Sequence, residues 1–299
     1  MTTAWADRFD SAPRLIDVGD HTICTQIRGR GPTVVLEAAG TGQGVGGAWG
    51  HAVEAGLADM ATVVTYDRVG VGRSTGTPRH TITEMADDLH QLLHALEVRL
   101  PAVVVSWSYG GLVSAVHAVR HPRDVAGLVF VDPTPTAPGP TPRALRVPLQ
   151  ALGVTQLRLM ARGLFDTRFG TRLIDRMAGP QPTEGLREQT ARFYRTPQAI
   201  RELARMLSRM DSHLSEVDAV LTAPGVRFPD VPTSVVAAGV RPARMPEAHR
   251  SHVDASHRRL ADLAPRGRVV LAEQATHQIP YEQPDTILHQ VSEVIGDAG

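Results

Sequence analysis

The chain has 299 residues, 42% of them hydrophobic, with 31 basic side chains balanced by 31 acidic ones. That is a globular composition, and a zero formal charge offers no general attraction for nucleic acid or an anionic membrane, so neither partner is expected. No stretch approaches the roughly 18 continuous apolar residues of a membrane span.

In chain order, two weak strand signals near residues 14 to 18 and 22 to 28 come first, and the single cysteine, Cys24, falls in the second as a small buried hydrophobe. Val-rich runs follow at 33 to 38, 62 to 67, 102 to 106, 126 to 132, 233 to 239 and 268 to 273, each short enough to be a buried parallel strand. Helical patterns separate them, as at 83 to 96, where Met85, Leu89, Leu92, Leu93 and Leu96 share one face and acids load the first turn. Alternating strands and helices give an α/β class with a mostly parallel central sheet, and the first two strands add an antiparallel start.

The alternation stops after Asp132. PTPTAPGPTPR packs five prolines together, and about ninety residues without a strand signal follow. An inserted helical lid over 134 to 229 is expected, with a core built from 1 to 133 and 230 to 299. Within the lid, Leu203, Met206, Leu207 and Met210 form an apolar stripe opposite Arg201, Arg205 and Arg209, and Arg168, Arg172 and Arg176 repeat that spacing. Thirteen arginines between Arg143 and Arg209 could favour a substrate carboxylate, yet every basic residue of this chain is Arg, so the stripe reads first as a solvated helix surface. Met160, Leu164, Phe165 and Phe169 suggest an apolar acyl pocket.

The strongest chemical signal is the run AVVVSWSYGG, where a buried strand turns into a helix. A serine on such a turn is exposed and strained, and the backbone doubles back so sharply that small residues are needed two before and two after it. Ser106 and Gly110 meet that need for Ser108. For Ser106 as nucleophile the flanks would be Val104 and Ser108, inside the strand, so Ser108 is the candidate. A serine hydroxyl needs an adjacent base, and of 13 histidines His277 is best placed, a few residues past the last strand and hence at its carboxyl end. His90 with His94 and His117 with His121 have helical spacing but not the His-Glu-x-x-His pattern of a zinc protease, and HRSHVDASH (249 to 257) reads as a polar helix surface. No metal-binding or cofactor-binding residue is assigned. The glycine run at 40 to 47 lacks the Gly-Lys-Ser/Thr ending of a nucleotide loop.

These segments resemble the α/β-hydrolase superfamily. SWSYGG is a variant of its Gly-x-Ser-x-Gly elbow, YDRVGVGRS (66 to 74) is similar to its Asp-x-x-Gly-x-Gly-x-Ser turn, and ATHQIPYEQPD (275 to 285) is similar to its His segment. VVLEAAGTG resembles the branch with Glu-Ala-Gly in place of His-Gly. The resemblance implies the α/β-hydrolase fold, a Ser, acid, His order, and an acid after the strand 233 to 239 in many members. Here no acid follows until Glu247. Asp132 ends an earlier strand and satisfies the order Ser108, Asp132, His277, while Glu247 and Asp254 stand in reserve and an Asp-Pro turn is the plain structural reading of Asp132. For the oxyanion, Tyr109 supplies one backbone N–H by position, and Gly40, with Ala39 close behind, supplies the other. Asp67, Arg68, Gly70 and Gly72 read as turn-forming, Glu37 needs a partner and Arg68 is the nearest, and Trp49 and Trp107 are either pocket or core.

The expected activity is therefore a serine hydrolase acting on an ester, thioester, lactone or amide of a small or medium-sized molecule, with a small-molecule acyl substrate as its partner. An acyltransferase or cyclase would use the same acyl-enzyme, and a ligand-binding receptor on this fold is the non-enzymatic alternative. The start, MTTAWADRFD, has no basic-then-apolar secretory pattern, so a cytoplasmic location is expected.

Overall fold

The computed structural model describes residues 12–298 apart from 97, 161–171, 173–183, 185, 188–189 and 192–195. Eight strands form one sheet: β1 (Arg14–Asp17), β2 (Thr22–Arg28), β3 (Thr33–Glu37), β4 (Thr62–Tyr66), β5 (Ala102–Trp107), β6 (Val125–Val131), β7 (Pro232–Ala238) and β8 (Arg266–Ala272). Their spatial order is β1-β2-β4-β3-β5-β6-β7-β8. β1 and β2 run antiparallel to their neighbours, and β3 through β8 are mutually parallel. The mixed sheet with an antiparallel start matches the sequence reading.

Val, Leu and Ile alternate between two buried faces. Val35, Val104, Leu128 and Phe130 point to one side, toward α2 (Ile82–Ala95) and α3 (Gly110–Arg120), whereas Val34, Leu36, Val103, Val105 and Val129 point to the other, toward α1 (His51–Ala58) and a C-terminal helix at Pro284–Ala298. Burial on both faces is why these strands are continuous apolar runs instead of alternating ones. α2 begins on a capping box, in which Thr81 Oγ1 accepts from Glu84 N at 3.1 Å and the Glu84 carboxylate accepts from Thr81 N at 2.9 Å.

Between β6 and β7 lie α4 (Arg143–Met160) and α5 (Pro197–Thr222), and no strand occurs among the described residues of that stretch. α5 is one continuous helix of 26 residues with two neighbourhoods. Its C-terminal half joins the main core through Leu214, Val217 and Leu221. The Glu216 carboxylate accepts from the free N–H groups of Ile82 at 2.9 Å and Thr83 at 2.8 Å, tying α5 to the positive end of α2. Its N-terminal half lies over the loop after β3, where Met206 and Leu203 approach Gly40. Leu164, Phe165, Phe169, Arg168 and Arg176, and the side chain of Met160, lie outside the described residues. Helix α6 (Glu247–Asp262) follows β7, and α7 is the C-terminal helix at Pro284–Ala298. Among the described residues no helix is long and apolar enough to cross a membrane.

Candidate active site

β3 sits between β4 and β5, so the chain leaves β3 toward one side of the sheet to make β4 and returns on the other side to make β5. Connections that diverge in this way open a crevice beyond the carboxyl ends of β3 and β5. Both the Ala38–Gly40 segment and Ser108 emerge there.

Ser108 follows β5 directly, with φ at 57°, a left-handed conformation that a non-glycine residue adopts only when its surroundings enforce it. The enforcement is visible. Ser108 N–H donates to Val131 O at 3.0 Å, and Ser108 O accepts from Gly111 N at 3.0 Å and Thr134 N at 2.9 Å. A Cβ on Gly110 would stand 2.6 Å from the carbonyl oxygens of Glu37 and Ala38, so the helix after the turn can approach β3 only with glycine there. Ser106 lies inside β5, opposite Glu37 and Phe130, and is fully buried, which leaves Ser108 alone on the turn.

His277 comes from the loop after β8. Its Nε2 is 2.8 Å from Ser108 Oγ, and its Nδ1 is 2.6 Å from Asp132 Oδ2. A carboxylate can only accept, so Nδ1 carries the proton and Nε2 keeps a lone pair directed at the serine hydroxyl. The loop is fixed by neighbours the sequence did not suggest. Trp107 Nε1 donates to His277 O at 3.0 Å, and Glu282 accepts from Thr276 N at 2.6 Å. Trp107 and Trp49 both belong to the buried core, and Trp107 in addition spends its indole N–H on the His277 loop.

Asp132 directly follows β6 with φ at 37°, its N–H donating to Val236 O at 2.7 Å. Oδ1 accepts from Ala238 N at 3.1 Å and from Arg241 Nη1 at 3.0 Å. Burial would raise this carboxyl, but the hydrogen bond and charge of His277, the Ala238 N–H and the Arg241 guanidinium together hold it well below the usual carboxylate range. The two reserve acids lie elsewhere: Asp254 accepts from Arg241 Nη2 at 3.4 Å, and exposed Glu247 accepts from Ser251 Oγ at 3.3 Å. Two histidines of the 249 to 257 cluster pin the chain just after Asp132, with His257 Nε2 donating to Pro133 O at 3.0 Å and His252 Nε2 to Ala137 O at 3.2 Å.

The Ala38–Gly40 segment is oriented by Arg68. Its guanidinium donates to Glu37 Oε1 through Nε at 2.7 Å, to Ala38 O, and to Ala39 O through Nη1 at 3.1 Å. In a trans peptide the carbonyl and the following N–H point in opposite directions. Tying the carbonyls of Ala38 and Ala39 to Arg68 thus turns the N–H groups of Ala39 and Gly40 away from it. The expected Glu37–Arg68 pairing is present, and Glu37 also accepts from the Tyr66 hydroxyl. Burial pushes the Glu37 carboxyl up, and Arg68 opposes that. Tyr109 is the N-cap residue of α3, so its N–H belongs to the unsatisfied donors of a helix start. Its ring lies under Arg68, whose guanidinium carbon is 5.1 Å from the ring centre, and its hydroxyl donates to buried His213 Nδ1 at 2.8 Å. Asp67 has the expected turn-forming role, accepting from the N–H groups of Gly44 at 3.0 Å, Val45 at 3.0 Å and Arg73 at 3.1 Å.

A cavity of about 40 Å³ adjoins Gly40 and Tyr109, with Arg68, Arg205, Met206 and Arg209 in its walls. It has room for a few waters at most. Arg201 is exposed, as a solvated stripe requires, but Arg209 is half-buried and with Arg205 faces this cavity, which corrects the reading of the stripe as surface alone. A larger cleft of about 900 Å³ between α4 and α5 is walled by Arg143, Gln150, Arg158 and Asp211 and holds none of the residues around Ser108.

Comparison with known proteins places these features in a family. A model described as "Alpha/beta hydrolase family" matches residues 30–290. RutD of Serratia proteamaculans, whose name ascribes carbamate hydrolysis to it, is 32% identical over 196 residues, 62% of this chain and 69% of that one. A pimeloyl-[acyl-carrier protein] methyl ester esterase of Chromobacterium violaceum is 37% identical over 107 residues, 36% of this chain and 39% of that one. The match with the esterase thus spans well under half of its length. Among solved structures, a Pseudomonas aeruginosa protein to which epoxide hydrolysis is ascribed superposes with a TM-score of 0.69 over 96% of both chains at 17% identity, a likeness of fold.

Proposed function

The chain belongs to the alpha/beta hydrolase family, and from that premise we propose that it is a serine hydrolase cleaving an ester, thioester, lactone or amide of a small or medium-sized molecule. The observation that carries this reading is the unbroken line from Ser108 Oγ through His277 to Asp132, at 2.8 Å and 2.6 Å. His277 Nε2 takes the Ser108 proton as Oγ attacks the acyl carbon, and Asp132 holds the ring in the required tautomer and stabilises the imidazolium. The oxyanion that forms is met by the backbone N–H groups of Tyr109 and of Gly40 or Ala39, each worth on the order of 3 kcal/mol. His277 then protonates the leaving group, the tetrahedral adduct collapses to an acyl-Ser108, and the same nitrogen activates water to release the acid.

Water access favours hydrolysis over transfer to an alcohol or amine, since the His277 side chain is 48% exposed. α4 and the N-terminal half of α5 act as the lid in this reading. An epoxide is a poor substrate for it, because serine attack would leave an ether that activated water does not cleave. A carbamate carries the same acyl carbon as an ester and fits. The receptor reading rested on the lack of an acid after β7, and Asp132 at 2.6 Å from His277 removes that support. The setting we propose is cytoplasmic, with no nucleic-acid or membrane partner.

Intact mass after treatment with a serine-directed fluorophosphonate tests this without knowledge of the substrate. One adduct is expected on the wild type, none on Ser108→Ala, and a strongly slowed reaction on Asp132→Ala. No adduct on folded wild type, or an unchanged adduct on Ser108→Ala, overturns the assignment.

A further inference from the structure

At the opposite end of the strands from Ser108, four histidines and two aspartates gather where α2, α3 and the short turn Pro122–Asp124 meet. Asp124 precedes β6 and Asp132 follows it, so the two ends are separated by roughly 25 Å of strand. Nothing in the proposed chemistry uses this cluster.

We propose that His90, His94 and Asp124 form a binding site for a divalent transition-metal ion, with zinc as the representative ligand. His90 and His94 stand one turn apart on α2, their ring centres 4.4 Å from each other, and both face the same carboxylate. His90 Nδ1 is 2.6 Å from Asp124 Oδ2, and His94 Nε2 is 3.0 Å from Asp124 Oδ1. One ligand atom from each of the three residues lies within 4.8 Å of the others. Zinc bonds to imidazole nitrogen and carboxylate oxygen at about 2.0 to 2.2 Å, so an ion can replace the shared protons once the rings withdraw by a few tenths of an ångström.

Independent support comes from His117. It is fully buried on α3, its Nε2 has no hydrogen-bond partner, and that nitrogen lies 3.8 Å from Asp124 Oδ2. A buried nitrogen left without a partner beside a carboxylate is the group a bound ion, or a water on it, would satisfy. The surrounding rings are already held. His121 stacks on His90 at 4.1 Å and 7°, with its own Nε2 on Asp87 at 2.7 Å. Two imidazoles and one carboxylate suit zinc, copper or nickel and are a poor match for calcium or magnesium, which require oxygen ligands in greater number. His94 is more than half exposed, which gives the ion a path from solvent. Bound there, a metal would clip α2 to the start of β6, as a stabilising ion and not a reacting one.

Titration calorimetry of the untagged, chelator-stripped protein with zinc chloride tests the site, alongside melting curves with and without zinc. The expected result is one zinc per chain, a melting temperature raised by zinc, and binding weakened at least tenfold in His94→Ala, whose exposed ring can be removed without disturbing the fold. Ser108→Ala should bind as the wild type does, and magnesium should give no heat. Absence of zinc binding by the wild type, or equal binding by His94→Ala, overturns the proposal. So does binding lost in His277→Ala and kept in His94→Ala, which would move the ion to the Ser108 site.

Discussion

Arg241 Nη1 lies 3.0 Å from Asp132 Oδ1, the carboxylate oxygen that His277 does not use. The guanidinium thus holds the carboxylate from the side opposite the imidazole, and its other arm reaches Asp254 at the surface. If this grip orients the carboxylate, Arg241→Met should leave the fold intact and slow fluorophosphonate labelling of Ser108 by about tenfold, the equivalent of one charge-assisted hydrogen bond. Labelling at the wild-type rate would reduce Arg241 to a surface ion pair. A pH dependence follows as well. Asp132 is held below its ordinary value of 3.8, so its pairing stabilises the native state fully above that pH and the contribution is lost as pH falls toward the lower folded value. Removing Arg241 raises the folded value toward the ordinary one. The melting-temperature gap between wild type and Arg241→Met should accordingly be constant above about pH 5 and shrink progressively as pH falls below the ordinary value of 3.8.

His257 and His213 give a second, opposite dependence. Burial pushes both imidazoles down from 6.5; Asp132 and Asp254 counter this at His257 and Arg241 adds to it, whereas Glu216 counters it at His213 and Arg209 and Arg68 add to it. A histidine whose folded value is lowered is bound to more protons when unfolded, so stability is present above pH 6.5 and declines as pH falls through that value. His257→Gln keeps a donor for Pro133 O and cannot titrate. Its melting temperature should fall less steeply than the wild type's between pH 7 and pH 5, and parallel curves would show that His257 does not carry the effect.

Ser106 occupies the position where the family's elbow motif has its first glycine, and its hydroxyl is buried without a hydrogen-bond partner. Such a group costs desolvation and returns nothing, of order 1 kcal/mol or more. Ser106→Ala should therefore melt at the wild-type temperature or slightly above it and label at the wild-type rate. A lost adduct would reassign the nucleophile from Ser108 to Ser106.

How far the sequence foretells this site depends on the range of the forces involved. The elbow is legible because Ser106 and Gly110 answer a local demand of the backbone around Ser108, and Asp132 and His277 are legible because each sits a residue or a short loop beyond a Val-rich strand. Trp107 and His277 are 170 residues apart, and Tyr109 and His213 are 104 apart. Both contacts arise only after β5, β8 and α5 have packed, so no local pattern signals them. Arg241 is visible in the sequence only as part of the run that lacks an acid. The apolar stripe of α5 brings Met206 and Met210 against the core, yet the buried face also takes Glu202, whose carboxylate accepts from Gln43 at 2.6 Å and Gln198 at 2.9 Å. A polar residue satisfied by distant partners is invisible to a count of hydrophobic spacing.

The arginines of α5 make the final prediction, and it concerns the substrate. Arg68 is committed to Glu37 and the Ala38–Gly40 carbonyls, and Arg79, also at this cavity, is bidentate to Asp88 through Nε at 2.9 Å and Nη2 at 2.7 Å. Arg205 and Arg209 line the same cavity with no carboxylate partner among the described residues. Two cations beside Gly40 and Tyr109 favour an acyl compound bearing a carboxylate over a neutral one of equal size. Comparing a neutral ester with its carboxylate-bearing analogue, Arg209→Met should lower kcat/KM for the charged substrate by about tenfold, through KM, and leave the neutral one unchanged. The preference should also weaken as salt rises, because Arg205 is exposed and screened within a Debye length of about 8 Å at physiological ionic strength. Equal losses on both substrates would mean that Arg209 supports the packing of α5 over the cavity and does not read charge.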